Sequence, residues 1–266
     1  MKDIWTVSQL QIDLWLAIFW WPFCRIFGFL LADPFYSSKA ITVKVRICVA
    51  IFISLIIAPV LPAMPQVPIV SPAGILIVIN QLLIGIAIGY IVRIIFSAVE
   101  MAGHLAGLQM GLGFASFYDP LHATSVPIVA QFLSLMTILV FLALNGHLMV
   151  LQTLLTSFTS LPIRVEPISG LGFKLLVDYG SQIFSAGVLL SLPVIGSLLV
   201  TNLAVGIMTR AAPQLNVFAV GFPLMMGIGL LAMYLSLPYM PAHIEIMLSE
   251  GSRFAAKMVA AFAGKP

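Results

Sequence analysis

The sequence predicts an all-α integral membrane protein of about six apolar helices arranged in hairpins. Its 266 residues are 61% hydrophobic and 8% charged, whereas soluble domains are about 45–50% apolar and about 25% charged. The charges are also absent from long stretches, each of which has room for one or two helices of the roughly 20 residues that cross a bilayer. These charge-free stretches are Ile47–Val92, Pro120–Ile163, Tyr179–Thr209 and Ala211–Ile244.

Six apolar segments are the predicted helices, and short polar or proline-rich links separate them. The link Pro62–Pro72 holds four prolines, which lack the amide hydrogen that a helix needs, so it is predicted as an extended turn. The longest polar link is Ser157–Gly180, and Thr209–Asn216 is the tip of a hairpin. The six segments are Leu14–Ala32, Val45–Leu61, Ala73–Phe96, Val126–Leu155, Ile183–Met208 and Val217–Tyr239.

The tail that follows, residues 244–266, is predicted as an amphipathic helix. Its apolar residues share one helical face and its charged residues share the other. Such a helix lies at a membrane interface or packs on a partner, and both alternatives stay open. The apolar face is Ile244, Met247, Leu248, Gly251, Phe254, Met258 and Phe262; the charged face is Glu245, Glu250, Arg253 and Lys257.

Glycines recur every four residues in the third apolar segment and just beyond it. On a helix this spacing makes a bare ridge that lets another backbone come close. The ridge serves either helix packing within the chain or contact with other subunits. Gly85, Gly89 and Gly103 are the residues predicted to pack against other subunits, and Gly107 and Gly111 continue the spacing.

The stretch from Gly103 to Pro127 is rich in glycine and aromatic residues and nearly free of charge. Irregular backbone at membrane depth is tolerated where it is buried in protein or lines a cavity, and an apolar segment can seal a pore without strong bonds. The stretch is therefore predicted as a mobile plug, with a static turn as the alternative. The predicted plug residues are Gly107, Gly111, Gly113, Phe114, Phe117, Tyr118, Asp119 and Pro120.

The hairpin tip carries the other predicted functional residues. Arg210 lies between two charge-free helices, and an arginine at the bilayer centre costs at least ~2.5 kcal/mol, so the tip should be solvated or paired. Pro213, Gln214 and Asn216 complete this polar tip. Asn145-Gly146 is expected to cap or kink its apolar run. Arg25, Arg93 and Glu100 lie in or near apolar helices and are expected to pair or to face the protein interior.

Other function classes leave no trace in the sequence. The glycine-rich nucleotide loops, the nucleophile elbow and the zinc-protease motif are missing, so no enzyme activity, cofactor or metal is predicted. The net charge of +3 is too small to indicate nucleic acid. Cys24 and Cys48 lie in apolar runs and are expected to be buried small hydrophobic residues.

Three ordered motifs resemble the FliR family of type III export-gate proteins, which serve bacterial flagella and virulence injectisomes. They are GLQMGLGFASFYDP at residues 107–120, FLALNGH at residues 141–147 and RAAPQLNVFAVGFPL at residues 210–224. The resemblance extends from Trp20 to the last hairpin, and the GFPL motif favours the flagellar branch over the injectisome alternative. A small-molecule secondary transporter is disfavoured because neither repeated halves nor a midplane ion site is evident.

The resemblance implies a structural and gating subunit of a protein export channel in the bacterial inner membrane, at the flagellar basal body. It implies a FliP-like part over residues 1–180 that contains the plug loop 107–122, then a FliQ-like hairpin over residues 183–240. The implied partners are FliP and FliQ subunits, the FlhB-type export protein, unfolded exported proteins and membrane lipid. No cofactor and no nucleic acid are implied.

Overall fold

The computed structural model describes residues 9–38, 40–62, 64–65, 67–114, 127–212 and 217–264. Within these ranges every regular element is helical, which confirms the predicted all-α fold class. The helices are α1 Gln9–Ala32, α2 Val43–Ile57, α3 Pro72–Gln109, α4 Ile128–Ala143, α5 Gly146–Ser160, α6 Gly170–Tyr179, α7 Gln182–Ala211, α8 Val217–Ser236 and α9 Met240–Phe262.

Within the described residues, four helical stretches are long and apolar enough to cross a membrane. A fifth is added when α4 and α5 are counted together as one broken span. The α1 segment Leu16–Ala32 is apolar but shorter. This supports the expectation of an integral membrane protein. The four stretches are Val43–Val60, Pro72–Gln109, Gly170–Ala211 and Ala219–Phe262.

The chain divides into two compact units that interleave along the sequence. The first comprises residues 1–93, 146–179 and 249–266, and the second comprises residues 94–145 and 180–248. The first unit therefore holds α1, α2, α5 and α6, and the second holds α4, α7 and α8. Helices α3 and α9 contribute one portion to each unit.

A compact turn joins α1 to α2 in the first unit. Asp33 is 1% exposed, and its Oδ1 accepts hydrogen bonds from the amides of Phe35 and Tyr36, both at 3.0 Å. From the start of α2, Arg46 Nη2 donates to the carbonyls of Ser37, Ser38 and Ile41 at 2.9–3.0 Å. These bonds give hydrogen-bond partners to backbone amides and carbonyls in the turn between α1 and α2. Both helices expose mainly apolar side chains.

Three boundaries differ from the sequence prediction. Helix α3 continues to Gln109 rather than ending near Phe96, because the glycines beyond Phe96 serve helix packing. The run Val126–Leu155 is broken at Asn145, whose φ is +53°, so α4 and α5 are separate helices, as Asn145-Gly146 indicated. The predicted polar link Ser157–Gly180 contains α6, a short helix of ten residues.

Helix α9 has the amphipathic pattern expected for the tail. Ile244, Leu248, Gly251, Met258 and Phe262 are buried, and Met247 and Phe254 are half-buried. Phe262 packs edge-on against Phe173 with ring centroids 4.8 Å apart, and Phe254 stacks on Tyr179 at 4.1 Å. The apolar face of this helix therefore packs on its own chain. The charged residues Glu245, Glu250, Arg253 and Lys257 are exposed.

Candidate functional site

The predicted glycine ridge lies against helices of the same chain. At Gly85 an added Cβ would collide with the carbonyl oxygen of Arg25, and at Gly89 it would lie 2.7 Å from that of Phe29. These glycines let α3 cross α1 at backbone contact in the first unit. In the second unit, a Cβ on Gly103 would collide with the backbone of Ala130 in α4. Their role in contacts between subunits stays a prediction.

Gly107 differs from the other members of the ridge. A Cβ at this position would lie 3.7 Å from Val129, which is an ordinary van der Waals distance. Gly107 therefore leaves room for a methyl group, and only Gly85, Gly89 and Gly103 are held at backbone contact.

The predicted plug begins where α3 ends. The amide of Met110 donates to Ala106 O at 2.9 Å, and the amide of Gly111 donates to Leu108 O at 3.0 Å. Gly111 has a φ of +82°, a conformation that glycine adopts without steric cost. One turn of 3-10 helix follows over Leu112–Phe114. Phe117, Tyr118, Asp119 and Pro120, together with the side chain of Phe114, lie outside the described residues.

An apolar cluster surrounds this end of α3 in the second unit. Met110 is 0% exposed and lies at its centre, next to residues of α4, α7 and α8. The cluster contains Ala106, which precedes the predicted plug, and Val129, which follows it. Described residues on both sides of the predicted plug therefore pack in the same cluster. The members are Ala106, Met110, Val129, Val194 and Leu198, with Leu112, Leu133, Met225, Ile228, Ala232 and Met233 packed around them.

The described part of the hairpin tip ends α7 with an exposed arginine. Arg210 is in the last turn of the helix and is exposed, where a positive charge complements the helix dipole. Ala212 closes the turn by donating to Met208 O at 2.9 Å. Pro213, Gln214 and Asn216 lie outside the described residues, so their predicted role at the tip stays a prediction.

The most extensive polar constellation of the first unit surrounds Arg25. Its side chain is 0% exposed, and its Nε donates to Gln81 Oε1 at 2.7 Å. Nη1 donates to Ser157 O at 2.9 Å and to Ser157 Oγ at 3.1 Å, and Nη2 donates to Leu161 O at 2.9 Å. The guanidinium carbon lies 4.3 Å from the ring centroid of Phe158. These bonds tie α1 to α3 and to the end of α5.

The sequence predicted that Arg25 would pair or face the protein interior, and it is buried, but its partners were not predicted. Arg93 and Glu100, for which the same was expected, are exposed, and Glu100 lies 3.9 Å from His104. The acceptors of Arg25 in the described part of the chain are neutral groups: carbonyl, amide and hydroxyl oxygens. A partner of a buried arginine is usually recognised in a sequence as a carboxylate at helical spacing. The acceptors of Arg25 named above are not carboxylates, so this pattern could not have identified them. An arginine in a charge-poor helix, with Gln81 in another, is the weak signal that the sequence does contain.

A cavity of about 210 Å³ opens in the second unit between α3, α7 and the start of α9. Apolar side chains dominate its lining, with Val99, Leu133, Val194 and Met233 among them. Two of its polar residues are committed to their own helices: Ser191 Oγ donates to Val188 O, and His243 Nδ1 is 3.0 Å from Tyr239 O. The cavity therefore lacks the convergent polar groups of a catalytic site.

Metal coordination and ion pairing contribute little in the described part of the chain. Within it, no three side chains of His, Cys, Asp or Glu are grouped closely enough to hold a metal ion. His104 and Glu100 form an exposed pair one turn apart on α3, with Nε2 and Oε1 separated by 3.9 Å. Cys24 is buried, as expected, whereas Cys48 is exposed, which corrects the expectation for that residue.

A family model described as "Bacterial export proteins, family 1" matches residues 16–251. This range includes every helix from α2 to α8 and most of α1 and α9. It also contains the described parts of the glycine ridge, the end of α3 and the hairpin tip.

Curated relatives are similar over nearly the same length. The Flagellar biosynthetic protein FliR of Pectobacterium carotovorum subsp. carotovorum is 42% identical over 245 residues, which is 92% of this chain and 94% of the relative. The protein of the same name from Escherichia coli strain K12 is 38% identical over 244 residues, 92% of this chain and 93% of the relative. That of Bacillus subtilis strain 168 is 30% identical over 221 residues, 82% of this chain and 84% of the relative.

Proposed function

This chain belongs to the bacterial export proteins, family 1, and we propose that it is the structural and gating subunit of the flagellar type III protein export channel. Two relatives named Flagellar biosynthetic protein FliR match 92% of the chain at 42% and 38% identity. The chain is a membrane subunit of the flagellar export apparatus. The flagellar names of these relatives favour this system over the injectisome alternative.

The observation that carries the proposal is this full-length similarity, and the surface of the hairpin is consistent with it. Val200 and Leu203 on α7 are 70% and 68% exposed, and Leu231 and Tyr234 on α8 are 57% and 70% exposed. An apolar surface of this extent must be covered by lipid or by other subunits. We assign that cover to FliP and FliQ subunits, to the FlhB-type export protein and to the lipid of the inner membrane.

In this proposal, residues 107–122 close the channel and move aside when an unfolded exported protein passes. Support comes from the sequence of the segment and from its described start, where Gly111 takes a φ of +82° directly after the buried Met110. An apolar closure needs no catalytic group and no cofactor, so we assign the chain no enzymatic step.

Deleting Gly111–Phe117 tests the closing role. We expect the assembled export complex to leak ions or small solutes across the inner membrane, because an apolar segment that excludes water has been removed. The measurement is solute entry into intact cells, with recovery of the purified complex as the control for assembly. Unchanged permeability in a fully assembled variant would refute the closing role.

A further inference from the structure

The last residue of the α3 backbone ladder is anchored in a socket on α8. Met110 closes the helix through its bond to Ala106 O, and the next residue, Gly111, turns the chain away with its positive φ. Met110 itself is fully buried. The chain therefore leaves the helix directly after an immobilised side chain.

The socket exists because α8 has no side chain at the point of contact. A Cβ added to Gly229 would lie 2.6 Å from both Met110 Cγ and Met110 Cε, and 3.2 Å from Sδ. A larger residue at this position would force the Met110 side chain to shift, because two of its carbon atoms lie closer than a Cβ contact allows. Methionine suits such a socket because its unbranched side chain fills irregular space.

A second close contact ties the same part of α3 to the other arm of the hairpin. A Cβ on Gly187 in α7 would lie 3.0 Å from Ala98 O and from the side chain of Met101. The apolar cluster then joins Leu112, which follows Met110, and Val129, which lies beyond the predicted plug, to residues of α7 and α8. The described start of the predicted plug and the residue Val129 beyond it are thus both packed on the hairpin.

We propose that Met110, seated over Gly229, is a positioning residue that couples the α7–α8 hairpin to the end of α3 and to the segment that begins at Gly111. A displacement of α8 moves the end of α3 with it, because many small dispersion contacts hold the thioether in place. For its effect on the channel, this inference rests on the proposed function. The contact itself is independent of that function.

The contact is tested by the reactivity of a thiol placed at Leu112. The probe is Leu112→Cys in the full chain with Cys24→Ala and Cys48→Ala, assembled with its partner subunits and treated with a small maleimide. Gly229→Ala is the test variant. Gly227→Ala is the matched control, since a Cβ on Gly227 meets nothing within 4 Å.

We expect Gly229→Ala to raise the labelling rate of the thiol about tenfold, the effect of a modest overpacking penalty, and Gly227→Ala to leave it unchanged. Equal rates in the two variants would overturn the inference. If the Gly229→Ala chain does not accumulate, Met110→Ala takes its place, because it only removes atoms and should also raise the labelling rate.

A double-mutant cycle separates this pair from general core packing. In a Met110→Ala background, the Cγ, Sδ and Cε atoms that Gly229→Ala would displace are gone. We therefore expect Gly229→Ala to add nothing to the labelling rate in that background. Fully additive effects of the two substitutions would show that they do not act through each other.

Permeability links the pair to the channel and distinguishes the two hypotheses. We expect Gly229→Ala to increase solute leakage in the same direction as deletion of Gly111–Phe117, with Gly227→Ala remaining tight. If the deletion leaks and Gly229→Ala stays tight despite a reactive thiol, the coupling is refuted. If the deletion itself stays tight, the proposed closing role fails, and the labelling cycle alone decides whether Met110 positions the end of α3.

Discussion

At the scale of single residues, two neighbouring glycines of α3 should respond in opposite directions to the same substitution. Gly103→Ala places a methyl group on the backbone of Ala130, 2.8 Å from its nitrogen, so we expect a loss of about 1–3 kcal/mol from overpacking. Gly107→Ala meets Val129 at 3.7 Å and should be neutral or stabilise by up to about 1 kcal/mol, since alanine favours helix. Thermal unfolding in mild detergent measures both.

Each variant of this pair is the control for the other, because both lie on α3 one turn apart. Equal destabilisation by the two substitutions would mean that α4 approaches Gly107 as closely as it approaches Gly103, which the described contacts contradict. The comparison also shows why equal glycine spacing in a sequence does not identify equal contacts.

The carboxyl of Asp33 should make stability depend on pH. Burial raises the pKa of this carboxyl to about 6, against the opposing hydrogen bonds from the Tyr36 and Phe35 amides. The folded state therefore holds a proton that the unfolded state releases near its ordinary pKa of 3.8. Stability should fall as pH rises from about 4 to about 6 and then level off. The unpartnered, buried Oδ2 is consistent with a bound proton.

Asp33→Asn removes this dependence while keeping an oxygen to accept the two amide hydrogen bonds. We expect the variant to match the wild type at about pH 3.5, where the wild-type carboxyl is mostly protonated in both states, and to exceed its stability by on the order of 3 kcal/mol at pH 7.5. Unfolding temperatures at the two pH values give the answer. A wild type that is more stable than the variant at pH 7.5 would show that the native state uses the charged carboxylate.

At the scale of elements, the break between α4 and α5 depends on one backbone conformation. Asn145 has a φ of +53°, which asparagine and glycine tolerate and β-branched residues do not. Asn145→Gly should therefore be nearly neutral, and Asn145→Val should cost about 1–3 kcal/mol. Unfolding of the purified chain measures the difference. If valine were as well tolerated as glycine, the break would not require this conformation.

The elements also show how far the sequence could predict the fold. Runs of apolar residues predicted the helices because burial or lipid contact demands them over a full span. The extension of α3 past Phe96 was missed because Glu100 and His104 interrupt the apolar run there, although the spacing of the glycines had indicated a helix and Gly103 does serve a helix crossing. Helix α6 was missed because ten residues of mixed character leave little periodicity.

The predicted sites were harder to judge from sequence than the helices were. Arg25 was expected inside the protein, but its acceptors are carbonyl and hydroxyl oxygens up to 136 positions away, which no local pattern encodes. The socket of Met110 on Gly229 likewise depends on a crossing of two distant helices. Contacts made by backbone carbonyls, or made possible because a glycine has no side chain, are hard to predict from composition or local sequence patterns.

At the scale of the whole molecule, the position of the hairpin tip can be tested by topology. A cysteine at the exposed Ala211, in a chain with Cys24→Ala and Cys48→Ala, should react with a membrane-impermeant thiol reagent in inverted inner-membrane vesicles. The reason is that the neighbouring Arg210 is also exposed and is costly to bury in lipid. Gly227→Cys, in the middle of α8, is the control and should not react. Inverted vesicles expose the cytoplasmic face, where the resemblance to the FliR family implies that the tip lies. Labelling from the periplasmic side alone would contradict that position.

During synthesis of the chain, the hydrogen-bond acceptors of the buried Arg25 become available one after another. Its acceptors on Gln81, Ser157 and Leu161 follow it by 56, 132 and 136 positions. At about 5–20 residues per second, the ribosome needs roughly 7–27 s to supply the last of them. Gln81 is supplied after roughly 3–11 s, but until the end of that interval the guanidinium of the nascent α1 lacks the acceptors on Ser157 and Leu161. Helix α1 is therefore expected to be among the last helices to settle in the membrane, after α5 has emerged.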